Sequence, residues 1–315
     1  MKSSPADTLA DMSPSPECRP RHPRRRASAF SLVELLVLLA IIVILVSIFV
    51  PYLLRARETD RRVRCTDNLR VIQQALKAYA TANGNNLPRV TYEPSRAPAG
   101  YVAYTGADSP DPFARGSNVR ANDATASLWM LVRAGLAAPS KFVCPSSGAT
   151  PDPMLQNGRS VSPQERSNFS GAGNLSYSYA SPFSAAAGYR LNTDLLKFDF
   201  AVLGDKNPGA GTGNAANGPA YDATPLELAK ANSRNHGRSG QNVLYADGHV
   251  QFQPTPYAGV GEGAVRDNIY TALSTTPLAD AAEPGPKVIA GKGYVARDIG
   301  PAWAGDSYLV PTDDD

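Results

Sequence analysis

The stretch "RRRASAFSLVELLVLLAIIVILVSIFVPYLLRARETDRR", residues 24–62, decides the fold of this chain, because it places a long apolar run between two groups of arginines. The run covers residues 30–54, and Glu34 is its only charged side chain. A helix of that length measures roughly 37 Å at about 1.5 Å per residue, which exceeds the ~30 Å hydrocarbon core of a bilayer. The sequence therefore predicts a helix that crosses a membrane once.

The carboxylate of Glu34 near the start of this helix requires an explanation. A charge inside a spanning segment costs at least a few kcal/mol, so it is seldom retained without a partner. One interpretation is a signal anchor with an unpaired acid; the other is a helix that finds the partner in another molecule. A cleaved secretory signal does not fit, because its apolar region is about 7–15 residues long, whereas this run is longer and continues into a charged helical pattern.

The leader, residues 1–29, carries the whole net charge of the chain. It has six basic and three acidic residues, or +3, and the formal net charge of the full sequence is also +3. Basic residues before a spanning segment favour a cytoplasmic N-terminus. The remainder of the chain is neutral, so we expect no nucleic-acid partner, since such binding requires clustered positive charge.

The residues around the start of the apolar run resemble a known processing signal. Ala29 precedes Phe30, and counting from Phe30 makes Glu34 the fifth residue and Pro51 the twenty-second. This order resembles the class III signal of type IV pilins and type II secretion pseudopilins, although that family usually has Gly where Ala29 stands. The resemblance implies that a prepilin peptidase removes residues 1–29 and that the new N-terminus at Phe30 is methylated.

The same resemblance implies a fold, partners and a location. The fold would be α+β, the lollipop-shaped pilin fold, with a long N-terminal helix packed on a small antiparallel β-sheet head that has long loops. In a filament, Glu34 of one subunit would pair with the free amine of Phe30 on a neighbour. The partners would be the prepilin peptidase, homologous subunits and the inner-membrane assembly platform. The protein would cross the inner membrane once, with its head periplasmic or extracellular, and would enter a filament after assembly.

An apolar stripe continues the helical pattern beyond the membrane segment. Steps of four, three, four and three residues relate its members, which are Cys65, Leu69, Ile72, Leu76 and Tyr79. The glycine, asparagines and proline of "ATANGNNLP", 80–88, are helix stop signals. The sequence thus predicts a membrane half of the helix at 30–54, a soluble half at 55–84 and a β-rich head at 85–315.

The head contains one strong local signal, "QNVLYADGHVQFQ", 241–253. Asp247-Gly248 between alternating residues predicts a hairpin with a two-residue type I′ turn, in which Tyr245 faces Val250. The alternating "SYSYASPF", 176–183, predicts an edge strand. Residues 233–253 also resemble the H-X9-DG block of DUF1559-type prepilin-like proteins, although ten residues rather than nine separate His236 from Asp247.

Three residues of this block are candidate metal ligands. His236, Asp247 and His249 could form a two-histidine, one-carboxylate site for a divalent metal. The alternative is structural: Asp247 makes the turn, His249 is a half-exposed strand residue, and His236 hydrogen-bonds the backbone. A calcium site from acidic residues near the C-terminus has no loop-like ligand spacing, and a solvated acidic tail is the competing interpretation of Asp298, Asp306 and residues 313–315.

Cys65 and Cys144 would both lie outside the cytoplasm, where disulfides persist. A disulfide between them and a buried thiol at Cys65 are both open alternatives. The sequence has none of the familiar nucleophilic or metallohydrolase motifs, so we expect a structural protein without an organic cofactor and not an enzyme. The leading hypothesis is a pilin-like subunit; the rival is an unassembled, membrane-anchored envelope protein that binds a glycan or a metal ion.

Overall fold

The longest element is a helix, α1, at Leu32–Ala82, with Glu34 in its first turn and Pro51 inside it. The structure, a computed structural model, describes residues 31–95, 100–210, 223–262, 265–272 and 299–315. By their contacts, residues up to Tyr52 form one unit and residues from Leu53 form another. The cleavage site expected between Ala29 and Phe30 lies outside the described residues.

The N-terminal part of α1 is apolar and uncovered. Every side chain from Leu32 to Leu54 is exposed, and the segment is long and apolar enough to cross a membrane. At the start of the helix, Glu34 Oε2 accepts a hydrogen bond from the Ser31 backbone N–H at 2.9 Å, and Ser31 Oγ accepts one from the Val33 N–H at 3.3 Å. Ser31 and Glu34 thus satisfy backbone donors that the first turn of a helix leaves without partners.

The C-terminal half of α1 packs into the second unit along the predicted stripe. Its buried residues are Cys65, Leu69, Ile72, Ala75, Leu76 and Ala80. The helix ends at the predicted stop signals, where Gly84 and Asn85 adopt positive φ angles of 62° and 63°. A helix of this pattern buries one face, and the basic residues between the buried positions, Arg70 and Lys77, stay at the surface.

The stripe packs on an antiparallel sheet of five strands. The strands of the described residues are β1 Leu155–Gln156, β2 Arg159–Ser160, β3 Tyr177–Ala180, β4 Ala201–Asp205, β5 Gln241–Tyr245, β6 Val250–Gln253, β7 Tyr257–Glu262, β8 Val265–Asn268 and β9 Leu309–Val310; the short helices are α2 Ala124–Arg133 and α3 Pro225–Ala231. The five-stranded sheet has the order β6-β5-β4-β3-β9, and β1-β2 and β7-β8 form two separate hairpins, so the class is α+β.

An aromatic cluster fills the core beside α2. Trp129 and Phe169 meet edge to face with ring centroids 4.9 Å apart, and Phe142 contacts Phe169 at 5.4 Å. The α2 N-cap residue, Asp123, accepts a hydrogen bond from the Ala126 N–H at 2.7 Å, so the start of the helix is stabilised locally. Together these contacts hold α2 in the core through Phe169 and Phe142.

The structure corrects the prediction of an edge strand at 176–183. β3 lies between β4 and β9, and all four of its residues are buried. Its alternating serines suggested a solvent-exposed face of the strand. Ser178 Oγ instead donates a hydrogen bond to the Pro311 carbonyl, which is a buried partner for the hydroxyl. The C-terminal segment that contains β9 covers the outer edge of β3. The residue pattern within β3 does not indicate this partner.

The C-terminal residues also differ from the expected solvated tail. Asp306 is fully buried, and Asp315 Oδ2 accepts a hydrogen bond from Tyr101 Oη at 2.7 Å. Asp313 lies 3.4 Å from the Arg234 guanidinium. The acidic end is therefore attached to the head by hydrogen bonds and charge, while Asp298 lies outside the described residues.

The hairpin of β5 and β6 exists, but its predicted turn is wrong by one residue. Leu244, not Tyr245, lies opposite Val250, and the Tyr245 N–H donates to the His249 carbonyl. The loop therefore has three residues, 246–248, of which Gly248 alone has a positive φ, at 93°. A three-residue loop needs one left-handed residue, whereas a type I′ turn needs two, and Asp247 does not adopt that conformation.

We expect Gly248→Ala to lower the free energy of unfolding by about 1 kcal/mol, because alanine disfavours the left-handed backbone that glycine adopts freely. The added methyl group would also lie 2.7 Å from Gln73 Nε2, the far end of a side chain that must shift. Gly148→Ala is the matched control, since that glycine has no positive φ and nothing lies near its added methyl group. Urea titration of the full chain in detergent would measure both. Equal effects of the two substitutions would contradict the left-handed backbone at Gly248.

Candidate functional site

A buried polar cluster lies where α1 meets the sheet. Among the described residues, one group of three or more His, Cys, Asp or Glu side chains is close enough to hold a metal, with its ligand atoms within 4.8 Å of one another. The group consists of Cys65, Cys144, Asp205 and His236, and each is at most 3 % exposed. Polar groups are rarely buried together unless they satisfy one another.

Cys65 and Cys144 form a disulfide, with an S–S distance of 2.24 Å and a Cα–Cα distance of 5.2 Å. Cys65 lies on the buried stripe of α1. Cys144 follows a short 3₁₀ turn at Pro139–Phe142, and its backbone N–H donates to Ser176 Oγ at 2.7 Å. Of the two sequence-level alternatives, the structure shows the disulfide, which links the helix to a loop of the head.

Asp205 brings a carboxylate to the cluster from the last position of β4. Its Oδ2 accepts hydrogen bonds from the Asn242 backbone N–H at 2.6 Å and side-chain amide at 3.2 Å. Its Oδ1 accepts from Asn235 Nδ2 at 3.0 Å and lies 3.7 Å from Cys65 Sγ. These donors hold the carboxylate in one orientation and offset part of its desolvation.

His236 enters the cluster from a turn with an unusual backbone. Its φ and ψ are 57° and 27°, and Gly237 and Arg238 that follow also have positive φ. A non-glycine residue in the left-handed region costs of order 1 kcal/mol, and such residues concentrate where a side chain must be held in place. The turn aims the imidazole inward, and the side chain is 0 % exposed.

The two ring nitrogens of His236 face opposite partners. Nδ1 lies 2.6 Å from Glu58 Oε1, while Nε2 lies 3.4 Å from Asp205 Oδ2 and 3.5 Å from Cys144 Sγ. Burial alone lowers the pKa of His236, but the hydrogen bonds and negative charges of Asp205 and Glu58 outweigh it and raise the pKa above its ordinary value. The imidazole thus lies between the carboxylates of Glu58 and Asp205.

The structure does not bring together the three metal ligands suggested by the sequence. Asp247 and His249 are exposed and bind each other, with Oδ1 2.6 Å from Nδ1, whereas His236 turns into the buried cluster. The side chain of Asp247 also accepts from the His249 N–H at 3.0 Å, as a turn residue does. Asp247 and His249 therefore fit the structural alternative to a metal site, in which Asp247 makes the turn. His236 does not fit it, because its partners are side chains and not the backbone.

Glu58 and Asp205 are the site residues that sequence reasoning missed. Glu58 stands seven residues before Cys65, or about two helical turns, so the two share a face of α1. That spacing could have indicated that Glu58 lies beside Cys65. Asp205 gave no such indication, because it ends a strand in a sequence that is typical of an ordinary turn. The other expected functional residues, Glu34 and Pro51, lie in the exposed part of α1.

The chemistry that these groups can perform is limited to redox exchange of the two sulfurs, proton exchange at the imidazole and metal ligation. Comparisons of the chain with family models, with curated proteins and with solved structures gave no match.

Proposed function

We propose that this chain is a structural subunit of a type IV pilus or type II secretion filament. A prepilin peptidase would cleave it between Ala29 and Phe30, and the inner-membrane platform would assemble it with homologous subunits through its N-terminal helix. One observation carries the proposal: from Leu32 to Leu54 every side chain of α1 is exposed, and the single charge in this apolar surface is Glu34.

An uncovered apolar helix with one acid has a specific requirement. Lipid can cover the apolar side chains, but it cannot neutralise a carboxylate, whose burial in hydrocarbon costs at least a few kcal/mol. In a bundle of identical helices, the amine created at Phe30 of a neighbour supplies the missing positive charge. Such a pair would fix the axial register of the subunits, as buried polar groups do in coiled coils.

The second candidate is a membrane-anchored envelope protein that does not assemble. The hydrogen bond between the Ser31 N–H and Glu34 Oε2, 2.9 Å long, favours it, because the carboxylate then has a partner within its own chain. In that case Glu34 closes the first turn of α1, and no neighbour is needed.

Processing provides the first test. N-terminal sequencing and intact mass of the protein from its native envelope should give a mature chain that begins at a methylated Phe30. Ala29→Trp should leave residues 1–29 attached, because a large side chain does not fit a peptidase site made for a small residue, whereas Ala29→Gly should be cleaved normally. Wild-type protein that keeps its leader in a host with an active prepilin peptidase would overturn the proposal.

A further inference from the structure

We propose that Cys65, Cys144, His236 and Asp205 form a tetrahedral Zn²⁺ site in the dithiol form of the chain, and that the disulfide replaces this site on oxidation. The site lies in the head and does not depend on filament assembly. The distances within the cluster, its burial and the residues that surround the four ligands all support zinc binding.

The distances fit a four-coordinate ion. Zinc bonds of about 2.0–2.3 Å in a tetrahedron place neighbouring ligand atoms roughly 3.3–3.8 Å apart. The distance between Cys144 Sγ and His236 Nε2 is 3.5 Å, and that between His236 Nε2 and Asp205 Oδ2 is 3.4 Å. Cys65 Sγ lies 3.7 Å from the other carboxylate oxygen, Asp205 Oδ1, and with one ligand atom from each residue all four lie within 4.8 Å of one another. In the dithiol form the two sulfurs are free to separate to the same spacing.

The surroundings of the ligands are also those of a metal site. Histidine ligands usually donate their second ring N–H to a carboxylate, which fixes the tautomer. Glu58 is in that position, 2.6 Å from His236 Nδ1, which leaves Nε2 as the acceptor. In the disulfide form Nε2 accepts from Asn242 Nδ2 at 3.1 Å, and in the zinc form the ion would replace that amide. The Asn242 N–H and the Asn235 amide orient Asp205 in the same way.

The donor set selects the ion. Two sulfurs with one nitrogen and one carboxylate oxygen in a tetrahedral arrangement suit Zn²⁺ better than calcium or magnesium, which take oxygen ligands in larger numbers. Two thiolates, one carboxylate and a neutral imidazole around a divalent ion give a net charge of −1. The carboxylate of Glu58 beside His236 makes the local charge −2. Arg61 and Arg62 lie 3.8 Å and 3.9 Å from Glu58, at the partly exposed side of the site, and offset that excess.

The zinc-bound dithiolate and the disulfide exclude each other, because both use the sulfurs of Cys65 and Cys144. The chain is synthesised with thiols, and Zn²⁺ binding releases the two thiol protons. Oxidation by an envelope disulfide oxidoreductase forms the Cys65–Cys144 bond and transfers two electrons to the disulfide of that enzyme. The disulfide of the enzyme breaks, takes two protons from water and becomes a dithiol, and Zn²⁺ is released to solvent. The sulfurs of a disulfide no longer carry the thiolate charge, so the zinc leaves.

Metal titration of the full chain in detergent tests the site. We expect the phosphine-reduced chain to bind one Co²⁺ with the visible d–d bands of a tetrahedral ion and with thiolate charge-transfer absorption. Zn²⁺ should displace the Co²⁺, and the oxidised chain should bind neither. Cys144→Ser and His236→Gln should lose the tetrahedral spectrum, while Cys18→Ser and His249→Gln should keep it.

Glu58→Gln keeps all four ligands and should weaken metal affinity by about 10–100-fold, as the loss of an orienting carboxylate does elsewhere. This variant protects the test from misfolding of the ligand variants, since near-UV circular dichroism can confirm that it is native. The proposal is overturned if the reduced chain keeps its native spectrum and binds no metal. It also fails if binding is indifferent to Glu58→Gln and Cys144→Ser, or if reduction unfolds the chain and Zn²⁺ does not refold it.

Discussion

Glu34→Gln should reduce filament assembly by about tenfold or more while the protein remains in the membrane. The substitution removes the charge that the proposed pair with the Phe30 amine requires, and each ~1.4 kcal/mol of lost association free energy reduces an equilibrium constant tenfold. A neutral amide is also easier to keep in lipid than a carboxylate, so the unassembled subunit should insert at least as well. The measurement is the ratio of protein in the sheared filament fraction to protein in the membrane fraction.

The choice of glutamine separates the two roles of Glu34. Glutamine can still accept the hydrogen bond from the Ser31 N–H that the structure shows at 2.9 Å, because a capping box accepts Glu or Gln. Glu34→Ala removes both the charge and the cap, and should fail to assemble in the same way. Ser31→Ala, which removes only the hydroxyl that accepts from Val33, is the matched control and should assemble.

The opposite outcome would favour the unassembled protein. Normal filaments from Glu34→Gln, with none from Glu34→Ala, would show that the cap matters and the charge does not. The anchored, unassembled protein would then be the better description of the chain.

Asp152→Asn should lower the free energy of unfolding of the head by about 3–5 kcal/mol, the usual cost of leaving one member of a buried ion pair without its partner. Asp152 Oδ1 lies 2.6 Å from Arg166 Nη1, and the two side chains are 0 % and 1 % exposed. Arg166 Cζ also lies 5.3 Å from the centroid of the Trp129 ring, so the buried charge contacts the aromatic core as well.

The matched control is Asp67→Asn, which breaks an exposed pair of the same chemistry. Asp67 Oδ1 lies 2.9 Å from Arg70 Nη1, with both side chains more than half exposed, and such pairs contribute about 0–1 kcal/mol. Urea titration of both variants at neutral pH would compare them. A similar small effect for the two substitutions would show that the buried pair is not a determinant of stability.

Acid should reduce the difference between the wild type and Asp152→Asn. Desolvation raises the pKa of Asp152, but hydrogen bonds from Ser170, Met154 and Arg166 outweigh it and hold the pKa below its usual value. A lowered pKa contributes stability above the unfolded value of about 3.9, and that stability is lost as the pH falls through the folded value. Asparagine does not titrate, so the two proteins should converge at low pH.

The sequence by itself determined α1 and the existence of the β5–β6 hairpin. A helix or a hairpin is specified by spacing within a short window, so the positions of Cys65, Leu69 and Ile72 predicted the buried face without knowledge of the sheet. The turn residues at 247–248 located the hairpin, but the choice between two and three loop residues depended on whether Asp247 would adopt a positive φ, and the residue types permitted both.

Tertiary structure alone decided the order of the strands and the buried cluster. β3 became central because the C-terminal strand β9 pairs with it, and no feature of residues 176–183 specifies that partner. Glu58, Cys144, Asp205 and His236 come from four distant segments, and each has an ordinary local role in sequence. Their shared chemistry arises because long-range packing removes them from water together, and a group that loses water must find its partner in whatever the fold places beside it.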